Sequence, residues 1–167
     1  TEAGLKEAID AGITSIKLID DITLKNILEL RNKDITLDLN GHILTGDIKL
    51  FATFNPTNTS KLTLIDSNPT ATHTTSNLPL GGVLDGKITL DKQGLSRFSR
   101  LCANGGTVKG QVILDDSNTQ IVCTSTTPTA FMDSVGGSGA IHGGIFYGNV
   151  KESCIKEKTV TFMNGSS

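Results

Sequence analysis

The side chains best suited to chemistry are carboxylates and a histidine that follows them. Asp115 and Asp116 stand side by side, and His142 precedes Gly143. Together they are the best constellation for cutting a polysaccharide. Hydrolysis of a glycosidic bond uses two carboxyl groups about 5 to 9.5 Å apart, and elimination needs a base beside an activated proton. Arg97 and Arg100 fall into no lyase spacing, and no residue is assigned as catalytic; Asp115, Asp116 and His142 stand as candidates alone. His42 has no carboxylate or second histidine beside it in sequence, so it reads as an outward binding group at most.

The pairs Asp20-Asp21 and Asp115-Asp116, with Asp38, Asp66, Asp85, Asp91 and Asp133, invite a test for calcium, which takes six to eight oxygen ligands. Their places at strand ends predict another task, accepting hydrogen bonds from turn amides. No cofactor is expected. Cys102, Cys123 and Cys154 cannot all pair, and none sits in a zinc spacing. Cys102 and Cys123, 21 residues apart, could stack on neighbouring coils and bridge, or stay as buried thiols. Stacking platforms for sugars are scarce, because Trp is absent and Tyr147 is alone. Phe146 is expected in the core, and Phe51, Phe54 and Phe131 are expected to cover loops.

These groups need a scaffold, and its length and composition bound it. The chain has 167 residues, enough for one domain. Fifteen basic against seventeen acidic side chains leave a net charge of −2 with the signs interspersed, which predicts no nucleic-acid partner. No apolar run reaches the roughly 18 residues of a membrane span, and no leader opens the chain. Eighteen glycines with many Thr, Asn, Asp and Ser favour strands joined by tight turns.

An internal repeat identifies the fold. Segments HILTGDIKL (42–50), GVLDGKITL (82–90), GTVKGQVIL (106–114) and GIFYGNVKE (144–152) align on a central glycine. After it, apolar residues alternate with others, the period of a strand with one buried face. Gly46, Gly86, Gly110 and Gly148 are read as corners where positive φ turns the chain. Gly86 and Gly110 lie 24 residues apart, room for one circuit of three short strands. The longer gaps then hold a coil with a protruding loop, or nearly two coils, and residues 55–60, 68–79 and 124–129 have loop composition. The prediction is an all-β, right-handed parallel β-helix of roughly five or six coils. Ile48, Ile88, Val112 and Val150 should form one buried column, and Leu50, Leu90 and Leu114 a second, broken by Glu152 where the stack ends.

The ends of a stack need covering. Thr1 can cap a helix over Glu2 to Ala11, with Leu5, Ala8 and Ile9 on one side and Gly12 as its stop. The expected organisation is therefore a capping helix over 1–12, a β-helix over 13–158, and 159–167 as either a terminal strand or the start of a following module. The run from Ile13 to Leu30 supplies the first strands, and Asn40-Gly41 a corner turn.

Residues 34–46 (DITLDLNGHILTG), 61–68 (KLTLIDSN) and 81–86 (GGVLDG) resemble the pectate-lyase-like β-helix modules of large bacterial cell-surface proteins. The likeness covers most of residues 1–153, and Leu37 to His42 is its most specific part. TVTFMNG (159–165) is similar to the first strand of small repeats that follow such domains. The resemblance implies an extracellular, non-catalytic module, a monomeric part of a larger chain serving as spacer, adhesive surface or glycan contact, with a glycan or a host or surface protein as partner. The alternative is a carbohydrate-active enzyme of the same fold, a polysaccharide lyase or glycosidase. Asp115-Asp116 with His142-Gly143 is superficially similar to β-helical polygalacturonases, whose wider motifs are missing.

Overall fold

The structure is a computed structural model that describes residues 1–53, 59–75, 77–91, 99–156 and 160–162. Every strand pair is parallel, and each sheet takes every third strand as far as Gly144–Phe146, which pairs with the next strand, Val160–Phe162, so the chain winds through three sheets once per coil. The six-stranded sheet stacks Ser15–Lys17, Asp34–Asp38, Ser60–Ile65, Ser99–Ala103, Thr119–Val122 and Ala140–Ile141. The seven-stranded sheet begins at Ile22–Thr23 and ends at Val160–Phe162, and the five-stranded sheet runs from Leu28–Arg31 to Val135–Gly137. This is the parallel β-helix that the repeat predicts.

The core is a set of columns. Leu28, Ile48, Ile88, Val112 and Val135 stand in register, and Val150 bridges to Val135. Val150 therefore does not follow Val112 directly, as the four aligned copies imply. The coil between them is TAFMDSVGG (129–137), whose corner residue is Asp133 instead of glycine, so the glycine alignment passes over it. The second column ends at Gly137, paired with Leu114, and Glu152 lies in an exposed 3-10 turn. In the seven-stranded sheet Ile22, Leu44, Leu84, Val108, Phe131 and Phe146 form the matching column. Phe131 is thus core, not loop cover, and stacks on Phe146 with ring centroids 4.8 Å apart. Phe51 is also buried, beneath the Arg31 guanidinium at 4.6 Å. Phe54 and Arg97 lie outside the described residues.

Polar side chains in this interior meet partners at the corners. Ser60, Ser99 and Thr119 form a buried hydroxyl ladder at the entry to the six-stranded sheet. They donate to the carbonyls of Leu30 (2.7 Å), Asp91 (2.7 Å) and Asp116 (2.6 Å). Ser60, expected to close a loop, is the first residue of a strand.

Of the four corner glycines only Gly46 has positive φ, 137°. The others are required for close approach between coils. A Cβ on Gly86 would lie 1.7 Å from the Gly46 carbonyl oxygen, and one on Gly110 would lie 2.0 Å from that of Gly86. Asn40 (φ 49°) and Gly41 (φ 75°) do form the left-handed turn their types predict.

Helix α1, Glu2–Asp10, covers the first coil. Thr1 Oγ1 accepts from the Gly4 amide at 3.0 Å, Leu5 and Ile9 are buried, and Gly12 ends the helix at φ 82°. Glu2 accepts from the amides of Lys25 (2.9 Å) and Asn26 (3.2 Å), tying the helix to the first coil. The Lys25 bond leads the effects that hold its carboxyl below the ordinary value.

Candidate ligand-binding groove

Strand alternation sends every second residue of the six-stranded sheet outward. Lys61, Arg100 and Gln120 stand in register on that face, as do Thr63, Cys102 and Val122 beside them. A third column holds Asn104 and Thr124, braced by reciprocal bonds: Asn104 Nδ2 donates to Thr124 Oγ1 at 3.0 Å, and the Thr124 amide donates to Asn104 Oδ1 at 2.9 Å. His142 follows the last strand of the sheet. These side chains line a groove of about 670 Å³ that crosses four coils. Among the described residues its lining contains no carboxylate.

Lys61 and Arg100 also border a second hollow of about 230 Å³ with Asp34, Thr59 and Ser60, so they form the ridge between the two. The Nε of Arg100 is shut off from solvent and meets no acceptor. A buried donor in that condition costs about 1–3 kcal/mol.

The candidates named from sequence do not converge. Asp115 follows the five-stranded sheet, whereas Asp116 opens the turn into Thr119–Val122, accepting from the Asn118 amide at 2.8 Å. His142 lies in the groove beside Val122, at the far end of that strand and six residues on from Asp116. Asp115 instead neighbours Asp91 on the rung below, since Leu114 and Leu90 are in register. Its carboxyl is raised above the ordinary value by loss of solvent, then by hydrogen bonding to and repulsion from Asp91, with a smaller push from Asp116. Lys49 opposes this, reaching Asp91 at 3.3 Å.

Asp38 and Asp66 hold turns, as their positions predict. Asp38 accepts from the amides of Asn40 (2.8 Å) and Ser67 (2.9 Å), and Asp66 from those of Gly41 (2.8 Å) and Gly82 (2.7 Å). Burial pushes the Asp38 carboxyl up, but the Ser67 and Asn40 hydrogen bonds outweigh it and leave the carboxyl below its ordinary value. Among the described residues no three His, Cys, Asp or Glu side chains are grouped to hold a metal ion.

His42 has a partner that local sequence could not supply. Asp21, one coil below, places Oδ1 3.2 Å from His42 Nδ1 and accepts from the Ile43 amide at 2.9 Å. The three cysteines are free thiols. Cys102 is in register with Val122, not with Cys123, so the 21-residue spacing misses a stacked pair by one position. One position in a strand reverses the face. No helix among the described residues is long and apolar enough to cross a membrane.

Sequence reasoning missed Lys61, Asn104, Gln120 and Thr124. The signal that could have found them is the outward set of the repeat, once registers between coils are known. Comparison with protein-family models, curated proteins and solved structures returns no match, so the fold rests on its strand pairing and the groove on its own chemistry.

Proposed function

We propose that this chain is a non-catalytic β-helical module of an extracellular or cell-surface bacterial protein, and that it holds an extended glycan along its six-stranded face. The observation that carries this reading is the groove: hydrogen-bonding side chains from four coils, with no carboxyl pair among its described lining. Successive rungs are spaced by about 4.8 Å, close to the length of one sugar ring along an extended chain. A ladder of Lys, Arg, Gln, Asn, Thr and His can therefore meet successive rings with the same kind of contact. The resemblance to surface-protein modules supports the location, and the module would act within a larger chain.

The second reading, a carbohydrate-active enzyme, has one observation in its favour. Asp91 and Asp115 stack on adjacent rungs, and the raised Asp115 carboxyl has the character of a general acid. Polysaccharide turnover and glycan-array binding, measured on the same protein, separate the two. Binding without turnover is expected. Turnover abolished by Asp115→Ala would overturn the non-catalytic reading.

A further inference from the structure

We infer that Lys61 and Arg100 form an anion subsite within the groove, which makes its ligand a glycan carrying carboxylate or sulfate groups. The inference rests on the glycan reading above. Its support is an electrostatic imbalance.

Lys61 and Arg100 are direct register partners on adjacent strands and line the same two hollows. Like charges placed opposite each other on a sheet destabilise it. No salt bridge among the described residues neutralises this pair. Among the described residues the ion pairs join His42 to Asp21 and Lys49 to Asp91, both elsewhere. Asp34 is next to Lys61 in the same column, yet makes no ion pair with it. Among the described residues the groove wall adds neutral hydrogen-bonding groups from Gln120 and Asn104 and no acidic one.

The overall charge gives no general attraction for anions, because the protein as a whole carries −2. Affinity for an anion must therefore be local. A guanidinium and an ammonium one rung apart can grip two oxygens of one planar or tetrahedral anion, and charge-assisted bonds of this kind are about twice as strong as neutral ones. Arg100 Nε, buried without an acceptor, is a donor such a group can satisfy after a small side-chain adjustment.

The test pairs NMR with calorimetry. Sulfate and acetate are titrated separately while the Arg100 Nε–H resonance is followed. Binding is then measured for hyaluronan oligosaccharides as the carboxylate arm, dextran sulfate as the sulfate arm and dextran as the neutral arm, at low and high salt. The expected result is a saturable shift of Arg100, binding to at least one charged arm, little binding of dextran, and loss of affinity with salt. Lys61→Gln and Arg100→Gln should each weaken the charged arm roughly tenfold or more. Lys87→Gln, an exposed lysine at another corner, should leave it unchanged. Equal binding of dextran and charged glycans, with Arg100 unmoved by either ion, overturns the anion subsite and leaves the glycan groove intact. Anion binding at Arg100 without binding of any glycan, neutral or charged, overturns the glycan reading instead.

Discussion

The glycine column at the corner between the seven- and five-stranded sheets offers the sharpest test of how the coils are held together. Gly110 faces backbone: an added methyl would lie 2.0 Å from the Gly86 carbonyl oxygen and 2.4 Å from its carbon. Neither atom can rotate away. Relief requires the coils to part locally, which strains the flanking bonds from Ile88 N to Gln111 O (3.0 Å) and from Lys109 N to Leu84 O (2.9 Å). Overpacking of this kind costs about 1–3 kcal/mol, and contact with fixed backbone puts Gly110→Ala at the upper end. For a domain of this size that is a fall in Tm of roughly 6–12 °C. Gly136→Ala is the control, because the nearest atom to its added methyl is the Gln111 side-chain nitrogen at 4.0 Å. It should match the parent protein or gain up to about 1 kcal/mol from a stiffer unfolded chain. Urea unfolding followed by circular dichroism measures both. If Gly110→Ala proves as stable as Gly136→Ala, the glycines are not spacers between coils and the argument fails.

Val112, fully buried between Ile88 and Val135, should not tolerate a charge: Val112→Asp is expected to abolish cooperative unfolding, seen as loss of the β spectrum. Asp38→Ala leaves the Asn40 and Ser67 amides without their acceptor, and should cost about 1–3 kcal/mol in urea unfolding at neutral pH. Because the folded Asp38 carboxyl lies below its ordinary 3.8, its stabilisation is present above that value and is lost as pH falls through the folded one. An Asp38→Ala protein should show a shallower acid destabilisation than the parent. Asp115 has the opposite sign: its raised carboxyl disfavours the ionised fold at neutral pH, so Asp115→Asn should unfold at higher urea there and lose that advantage on acidification. A carbon-detected NMR titration that places Asp115 at or below the ordinary value would refute this.

The sequence made the inward half of the molecule legible and left much of the outward half hidden, for a geometric reason. Ile48, Ile88 and Val112 advertise themselves because each must be apolar, branched and two residues past a tight corner. The Thr1 cap and the Gly12 stop are equally local, and both appear where their types predict. Asp133 shows the limit. The coil of residues 129–137 keeps Phe131 and Val135 in column but drops the corner glycine, so a motif aligned on glycine passes over it. His42 and Asp21 show another, since their pairing crosses a coil and depends on a register that no local pattern states.

A groove built across coils takes its residues from positions with no shared local signature. Lys61, Arg100, Gln120 and His142 sit on four successive coils, separated by stretches of unequal length, and become neighbours only after the inward columns lock the register. The same pleat that makes the core repetitive frees the alternate positions from the core's demand for apolar side chains. That freedom is why Lys and Arg can stand side by side where the neighbouring inward pair, Leu62 and Leu101, is constrained to be apolar. On this scaffold the core pattern identifies the fold, whereas an outward pair of like charges held without a salt bridge among the described residues is the place to seek a ligand.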